Sequence, residues 1–236
     1  MNEAAAREQI CLIGQMMHRN GLIDGASGNI SARLDSERIL TTPSGLAKGF
    51  MTPDQLIIID MTGKRVDTPT PMNGDLRPTS EVLMHLSCYR QRADVNGVVH
   101  AHPPTAIALT IAGVELSELP LPEVIILLGI VPTLPYATPA SEDNQRAVEA
   151  AIPLADALLL AYHGSLTVAG DVWDAYLRLE NLEHAAQIIL KTRQLGGRRT
   201  SFPIEQIDKL ISIREKLGRL RPGEAERIRR VYTGVG

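Results

Sequence analysis

Residues 157–169 read ALLLAYHGSLTVA, two apolar runs separated by a short polar break that contains His163 and Gly164. Short apolar runs on either side of a turn signal predict paired strands. Glycine also lets the backbone turn directly after the histidine, because it lacks a Cβ atom. The stretch therefore predicts two buried strands with a histidine placed where they meet.

Outside this pair, helical and strand patterns alternate irregularly, without the regular βαβ rhythm of a parallel doubly wound sheet. Apolar residues at helical spacing predict helices, and short β-rich runs between turn residues predict strands. The predicted helices span residues 3–18, 78–92, 104–111, 141–151, 172–194 and 203–217. The predicted strands span residues 29–34, 38–42, 56–60, 96–100, 130–134, 157–162 and 165–169. We expect an antiparallel or mixed sheet covered by helices.

The length and composition of the chain are those of a globular protein. It has 236 residues, of which 44% are hydrophobic and 22% are charged, so it can bury a substantial core. The sequence contains no internal repeat and no low-complexity linker. We interpret residues 1–236 as a single domain, in which residues 197–236 form a helical C-terminal extension.

The formal net charge of −3 argues against nucleic acid as a partner, because nucleic-acid-binding domains usually carry a basic face. Residues 196–200 form a short cationic stretch, which we interpret as a solvated loop. Cys11 and Cys88 lie in apolar segments and are interpreted as small buried hydrophobes of a protein in a reducing compartment. Residues 1–8 lack the pattern of a signal peptide, and the apolar run 124–134 is too short to span a membrane. We expect a cytoplasmic protein with no membrane partner.

Three of the six histidines lie at the ends of predicted apolar strands and together suggest a metal site. His100 and His102 end an apolar strand, and alternate residues of a strand project to one face. His163 ends another apolar strand. Three imidazoles with an open fourth position describe a catalytic zinc site, with ordinary core histidines as the alternative interpretation. The remaining histidines lie in predicted helices and are interpreted as structural: His18, His85 and His184.

An acidic residue and several hydroxyl groups lie at the start of the helix predicted over residues 78–92. Glu81 is interpreted either as a catalytic carboxylate or as a partner in helix capping. Thr79 and Ser80 lie beside free backbone N–H groups, which favours the binding of a phosphate. The loops at 27–29 and 42–45 offer further donors or are only turns. The sequence contains neither a Walker A motif nor G-x-G-x-x-G, so nucleotide binding has no support.

In this order and spacing, the motifs resemble the class II aldolase/adducin family, and the resemblance covers roughly residues 5–195. No single motif is as specific as their combination. The motifs are Ser27-Gly28-Asn29, Thr42-Pro43-Ser44-Gly45, Thr79-Ser80-Glu81, His100-Ala101-His102-Pro103, Pro135-Tyr136-Ala137-Thr138 and His163-Gly164.

The resemblance implies a fold and a role for individual residues. The implied fold is α/β with three layers (α-β-α), in which helices flank a central, mainly antiparallel sheet. His100, His102 and His163 would hold Zn²⁺, with another divalent metal as the alternative, and Glu81 would be the catalytic acid/base. The phosphate-binding positions that the resemblance implies are Gly28, Asn29, Ser44, Gly45, Thr79 and Ser80.

One position departs from the pattern of fuculose-phosphate-type aldolases. A tyrosine that handles the proton on the aldehyde side aligns near Glu123, which we therefore expect to be a second acid/base or part of a subunit contact. The resemblance also implies a homotetramer with active sites between adjacent subunits. The apolar segment 119–128 is the contact surface that we expect.

The implied reaction is the reversible cleavage of a phosphorylated ketose, a ketose 1-phosphate, to dihydroxyacetone phosphate and an aldehyde. Relatives with the same pocket catalyse epimerisation, dehydration or decarboxylation of sugar phosphates, and these remain alternatives. Adducin-like relatives have lost the metal ligands and serve as binding modules. Because this chain keeps three histidines and Glu81, we favour an enzyme.

Overall fold

The computed structural model describes residues 2–198 and 200–233. Arg199, part of the predicted cationic loop, lies outside the described residues. The helices are α1 Glu3–Arg19, α2 Val82–Gln91, α3 Pro104–Ile111, α4 Glu142–Ala151, α5 Val172–Gln194, α6 Ile204–Lys216 and α7 Glu224–Tyr232. The strands are β1 Asn29–Arg33, β2 Arg38–Thr41, β3 Ile57–Asp60, β4 Gly97–Ala101, β5 Thr133–Leu134, β6 Ala157–Leu160 and β7 Gly164–Ala169.

The strands form one sheet in the order β3-β2-β1-β4-β7-β6-β5. All neighbouring strands are antiparallel except β5 and β6, which are parallel. The mainly antiparallel sheet is therefore confirmed. β4 lies between β1 and β7, with Asn29 opposite His100 and Ala101 opposite Ser165. This register brings the candidate phosphate and metal residues together.

Successive side chains of a strand alternate between the two faces of the sheet, and each face is covered by helices. Helices α1, α3 and α5 pack on one face, where Leu40 and Leu159 point. Helices α2 and α4 pack on the opposite face, where Ile39 and Leu158 point. The three-layer α/β fold is confirmed. Within the described ranges, no helix combines the length and apolar character needed to cross a membrane.

Several local features differ from the sequence-based expectations. Residues Val124–Leu128 form a turn of π-helix, and β5 is limited to Thr133–Leu134 rather than residues 130–134. Val124, Ile125 and Leu128 are buried. The expectation that segment 119–128 is an exposed contact surface is therefore wrong for these residues, because this chain buries them itself.

The C-terminal helices explain part of that burial. Ile125 packs in a cluster with Ile207 and Ile211 of α6 and with Ile228 and Tyr232 of α7. Helix α6 was predicted, whereas α7 was not. The description of residues 1–236 as a single domain with a C-terminal extension stays a prediction. The expected burial of both cysteines is confirmed; they are Cys11 and Cys88.

Candidate active site

Three imidazole rings meet at one end of the central strands. His100 is the penultimate residue of β4, His102 directly follows the strand, and His163 lies in the turn between β6 and β7. Their ring centroids are separated by 5.0 Å, 4.8 Å and 5.0 Å, and Nε2 of His100 lies 3.1 Å from Nε2 of His102. The sequence-based expectation that the three rings lie together is thus met in the structure.

Gly164 makes this approach of β7 to β4 possible. A Cβ atom at this position would lie 2.3 Å from the carbonyl oxygen of Ala101 and 3.2 Å from Cε1 of His100. A contact of 2.3 Å to a backbone oxygen does not occur in practice, so any larger residue would push the two strands apart. The glycine was expected to allow a turn, and in the structure its main effect is to allow close contact.

Glu81 completes the group of possible ligands. It immediately precedes α2, and its side chain makes no capping hydrogen bond, so the capping interpretation is wrong. Its Oε2 lies 3.1 Å from Nε2 of His100, and its Oε1 lies 3.4 Å from Nε2 of His163. One ligand atom from each of the three histidines and from Glu81 lies within 4.8 Å of all the others.

The state of these groups fits a divalent cation. Nδ1 of His100 lies 2.9 Å from the carbonyl oxygen of Ser165. Because a carbonyl only accepts, Nδ1 carries a hydrogen, and Nε2 is the ring nitrogen that faces the group. Burial lowers the pKa of His102 and of His163 to about 4, so both are neutral at pH 7. Three imidazole nitrogens and a carboxylate are a donor set that suits zinc.

The carboxylate of Glu81 is ionised at neutral pH. Burial raises its pKa, but the charge and hydrogen bond of His100 and the hydrogen bond from Asn29 outweigh burial and hold the pKa far below its usual range. Its Oε1 is buried and has no hydrogen-bond partner among the described residues. A buried anionic oxygen without a donor is a further feature that a bound cation would satisfy.

A chain of buried polar groups supports Glu81 from behind. Nδ2 of Asn29 donates to Oε2 of Glu81 over 2.9 Å. The amide oxygen of Asn29 lies 2.5 Å from Nε2 of His85. Nδ1 of His85 lies 2.7 Å from the hydroxyl of Ser31, which lies 2.8 Å from the hydroxyl of Tyr89. Four hydrogen bonds thus connect α2 and β1 to the candidate catalytic carboxylate.

Every hydrogen bond in this chain has a defined direction. The ionised Glu81 only accepts, so Asn29 donates its NH₂ group to it and accepts from His85 with its oxygen. Burial lowers the pKa of His85 to about 3, so the ring is neutral and its Nδ1 accepts from Ser31. Ser31 in turn accepts from Tyr89. The chain fixes the amide orientation of Asn29 and the tautomer of His85.

His85 was interpreted as structural from the sequence, and its position beside the site was missed. The residue is fully buried, and a histidine buried in a helix is usually a packing residue. A usable signal was present, because His85 follows Glu81 by four residues, and residues at that spacing lie on one face of a helix.

The loops with the predicted phosphate-binding residues are joined by backbone hydrogen bonds. The amide of Thr42 donates to the carbonyl of Ile30 over 3.0 Å, and the amide of Thr79 donates to the carbonyl of Thr42 over 3.2 Å. The amide of Ser44 donates to the carbonyl of Arg77 over 2.9 Å. The loops around residues 29, 44 and 79 therefore lie side by side.

These loops also contact the group of possible metal ligands. Thr79 and Asn29 are buried beside Glu81, since Thr79 Oγ1 accepts from the Glu81 amide over 3.4 Å and Asn29 bonds to its carboxylate. A Cβ atom on Gly28 would lie 3.0 Å from the carbonyl oxygen of His100. Ser44, Gly45 and Ser80 are exposed. Their role in binding phosphate stays a prediction.

Lys48 is a second residue that was missed in the sequence. It is buried, and its Nζ donates to the carbonyls of Ala26 over 2.7 Å and Leu46 over 2.8 Å. The ammonium group therefore ties the loop before Gly28 to the loop after Gly45. Burial lowers the pKa of Lys48 to about 8, so it adds positive charge behind the loops at neutral pH.

The structure does not bring Glu123, a predicted site residue, into the group of possible metal ligands. It is exposed and immediately precedes the π-helical turn Val124–Leu128. The group of ligand atoms found in the described part of the chain comes from the three histidines and Glu81, without Glu123. Its role as a second acid/base stays a prediction.

Comparison with known proteins agrees with this geometry. The profile of the family described as Class II Aldolase and Adducin N-terminal domain matches residues 8–190. The chain belongs to this family. The resemblance predicted from the motifs is thereby confirmed.

Two relatives are named for different reactions on phosphorylated compounds. The chain is 30% identical over 202 residues to a 5-methylthioribulose-1-phosphate/5-deoxyribulose-1-phosphate aldolase of Escherichia coli O45:K1, covering 80% of this chain and 91% of that protein. It is 32% identical over 193 residues to a 3-oxo-tetronate 4-phosphate decarboxylase of Escherichia coli K12, covering 79% of this chain and 87% of that protein.

A solved structure of an L-fuculose 1-phosphate aldolase has the same fold. It superposes with a TM-score of 0.78 at 25% identity, covering 91% of this chain and 96% of that chain. The family membership and the fold are therefore shown, whereas the relatives differ in the bond that they cleave.

Proposed function

We propose that the protein is a zinc-dependent aldolase that reversibly cleaves a ketose 1-phosphate to dihydroxyacetone phosphate and an aldehyde, acting in the cytoplasm. The hydrogen bond between Asn29 and Glu81 carries the proposal. It supports the proposal because the carboxylate of Glu81 bonds to Asn29, a residue expected to bind phosphate, and also lies beside His100 and His163. In a ketose 1-phosphate, the carbonyl carbon is bonded to the phosphate-bearing carbon, and the carbon that exchanges a proton lies on the other side of the carbonyl, so both would lie near Glu81.

His100, His102 and His163 would hold the metal, with Glu81 close enough to share it. A divalent ion at this position would supply Lewis-acid chemistry toward the carbonyl and adjacent hydroxyl oxygens of the substrate. Zn²⁺ suits a site rich in imidazole, and another divalent metal is compatible with the same residues.

In the condensation direction, the ionised Glu81 would remove the proton from the hydroxyl-bearing carbon of dihydroxyacetone phosphate. In the cleavage direction, the same carboxyl group would return it. The hydrogen-bond chain through Asn29 and His85 would hold the carboxylate in place during both. The phosphate would be held by neutral donors, backed by the charge of Lys48; these donors come from Gly28, Asn29, Ser44, Gly45, Thr79 and Ser80.

Cleavage also requires a group that removes the proton of the substrate hydroxyl. Our choice for this group is Glu123, which is exposed and lies apart from the group of ligand atoms in its own chain. We further propose a homotetramer with active sites between adjacent subunits, in which an exposed Glu123 would be available to a neighbouring subunit.

Decarboxylation is the second candidate, and the 32% identity to a 3-oxo-tetronate 4-phosphate decarboxylase supports it. That substrate also has a carbonyl next to a phosphate-bearing carbon. After loss of CO₂, Glu81 would protonate the carbon in the same way. Because no substrate hydroxyl has to lose its proton, Glu123 would not be needed for this reaction.

A product assay over phosphorylated ketoses and phosphorylated oxo-sugar acids separates the candidates. We expect dihydroxyacetone phosphate from a ketose 1-phosphate, and we expect chelator treatment to abolish its formation and Glu81→Gln to slow it strongly. Release of CO₂ from the oxo acids, with no dihydroxyacetone phosphate from any ketose, would show that the protein is a decarboxylase and not an aldolase. An isomerised or dehydrated sugar would instead indicate an epimerase or a dehydratase.

A further inference from the structure

A polar cavity lies at the end of the sheet opposite the histidines. It has a volume of about 210 Å³ and is lined by Ala169, which ends β7, by Gly170, which follows it, and by residues 218–222 between α6 and α7. His100 and Gly164 lie at the other ends of β4 and β7. The charged residues that line it are Arg92, Asp94, Asp156, Arg178, Arg219 and Arg221.

A single buried carboxylate holds several arginines around this cavity. Asp156 is 1% exposed. It lies 2.9 Å from Nη1 of Arg92, 3.3 Å from Nη1 of Arg178 and 3.6 Å from Nη2 of Arg214. It also pairs with Nη2 of Arg221. One negative charge is thus shared by four guanidinium groups.

The remaining carboxylates do not balance the arginines. Asp94 pairs with Arg92 and Arg221, Glu224 pairs with Arg214, and Asp174 lies 3.7 Å from Arg219. In the part of the chain that the structure describes, this network therefore contains five arginines and four carboxylates, so one positive charge is in excess. The arginines are Arg92, Arg178, Arg214, Arg219 and Arg221, and the carboxylates are Asp94, Asp156, Asp174 and Glu224.

Two arginines that line the cavity retain unused donors. Arg178 is only 8% exposed, and its Nε has no hydrogen-bond partner among the described residues. Nε of Arg221 is likewise buried and unpaired within residues 2–198 and 200–233. A buried donor without a partner is unfavourable, and a buried charge is normally paired. The two unpaired Nε atoms therefore belong to residues that line the cavity at which the arginine network carries its excess positive charge.

We propose that this arginine cavity binds a small oxyanion, either inorganic phosphate or the phosphate group of a small ester, between Arg178, Arg219 and Arg221. Guanidinium groups match the oxygen spacing of phosphate and bind it with charge-assisted hydrogen bonds. The volume of about 210 Å³ is several times the roughly 30 Å³ that one water molecule occupies in the liquid. A phosphate group fits, and its charge offsets the excess.

The bound anion would join two parts of the chain. Arg178 lies in α5, within the family match over residues 8–190, whereas Arg219 and Arg221 lie beyond that match. An anion held by all three would fasten the turn between α6 and α7 to α5. The site is separate from the phosphate position proposed near Glu81, because the two lie at opposite ends of β4 and β7.

The test measures binding of inorganic phosphate and of glycerol phosphate to the full chain by calorimetry, at constant ionic strength with chloride as the reference ion. A Ser44→Ala/Ser80→Ala background removes donors from the proposed active-site position. We expect phosphate still to bind this background, and Arg219→Gln in the same background to weaken that binding at least tenfold. Arg146→Gln, which removes an exposed arginine of α4, is the matched control and should change nothing.

The choice of variant keeps the test independent of folding. Arg219 is 26% exposed and makes one ion pair at 3.7 Å among the described residues, so Arg219→Gln should fold, and its unfolding temperature without phosphate verifies this.

Phosphate should also slow amide hydrogen exchange in residues 218–224 of the Ser44→Ala/Ser80→Ala background. Binding of the free ion without the ester identifies inorganic phosphate as the ligand, and binding of both admits the ester. Absence of binding, or equal binding with and without Arg219→Gln, would overturn the proposal.

Discussion

The amide of Asn29 donates to the carboxylate of Glu81 over 2.9 Å, while its oxygen accepts from His85. Asn29 is on β1, and Glu81 immediately precedes α2, so the bond crosses from the sheet to the helical layer. It links a residue expected to bind phosphate with the carboxylate expected to move a proton. Both proposed functions of the site therefore depend on one amide orientation.

Glu81→Gln is expected to lower turnover by about a hundredfold to ten-thousandfold, the usual contribution of general acid/base catalysis. Glutamine keeps the size of the side chain but cannot accept the proton. Turnover is measured together with exchange of the carbon-bound proton of dihydroxyacetone phosphate with solvent deuterium. Exchange at the wild-type rate in Glu81→Gln would exclude the assigned role, and Glu123→Gln should leave exchange intact.

One divalent metal ion per chain is expected, bound by His100, His102 and His163. Metal analysis of the purified protein should find about one equivalent, as for a mononuclear site. Replacing all three histidines by alanine should remove the metal, whereas the exposed His184→Gln should retain it. Full metal content in the triple variant would refute the site.

His85→Phe is expected to lower kcat about tenfold to a hundredfold, as is usual when a residue that orients a ligand is replaced. The phenyl ring cannot donate to Asn29, so the amide is free to turn its oxygen toward Glu81. His85→Gln retains a donor and should recover part of the activity with unchanged metal content. Equal loss in His85→Phe and His85→Gln would indicate a packing role only.

His85 is also expected to make the metal-free protein less stable in acid. Burial lowers the pKa of His85 to about 3, whereas an unfolded histidine titrates near 6.5. Between these values the unfolded chain binds a proton that the folded chain does not, so stability falls as the pH falls. When the pH is lowered from 6 to 4.5, the free energy of unfolding measured in urea should fall by about 2 kcal/mol more for the wild type than for His85→Gln. Equal losses would contradict the neutral, buried state of the ring.

Removing the phosphate from the substrate is expected to lower kcat/KM at least about a hundredfold. Each hydrogen bond to a charged group contributes roughly 1.5–3 kcal/mol, or about one to two powers of ten. Thr79→Val, which removes one donor, should raise KM for the phosphorylated ketose without a comparable change for the unphosphorylated sugar. Similar efficiency with both sugars would argue against phosphate binding at these loops.

The positions of the candidate metal ligands and of the sheet were predictable because local sequence determines them. His100 and His102 lie two residues apart at the end of β4, and His163 precedes a glycine between two apolar runs, so spacing alone places each at or beside a strand end. Helix α7 was not predictable in the same way, since its buried Ile228 and Tyr232 depend on contacts with α6. The π-helical turn was missed because a short apolar run does not reveal its backbone conformation.

The roles of His85 and Lys48 could not be predicted because tertiary contacts define them. His85 contacts Asn29, which lies 56 residues away along the chain. Lys48 contacts the carbonyl of Ala26, 22 residues away. Neither residue belongs to a short motif, and each helps to position residues that do.

The pairing of β4 with β7 also has a kinetic consequence. His100 contacts the backbone of Ser165, which lies 65 residues further along the chain, and closing so long a loop is slow compared with forming a helix. The candidate ligands therefore meet only after the central strands have paired during folding. Capture of the metal during refolding would then report a late event, and a spectroscopic metal such as Co²⁺ would follow completion of the sheet.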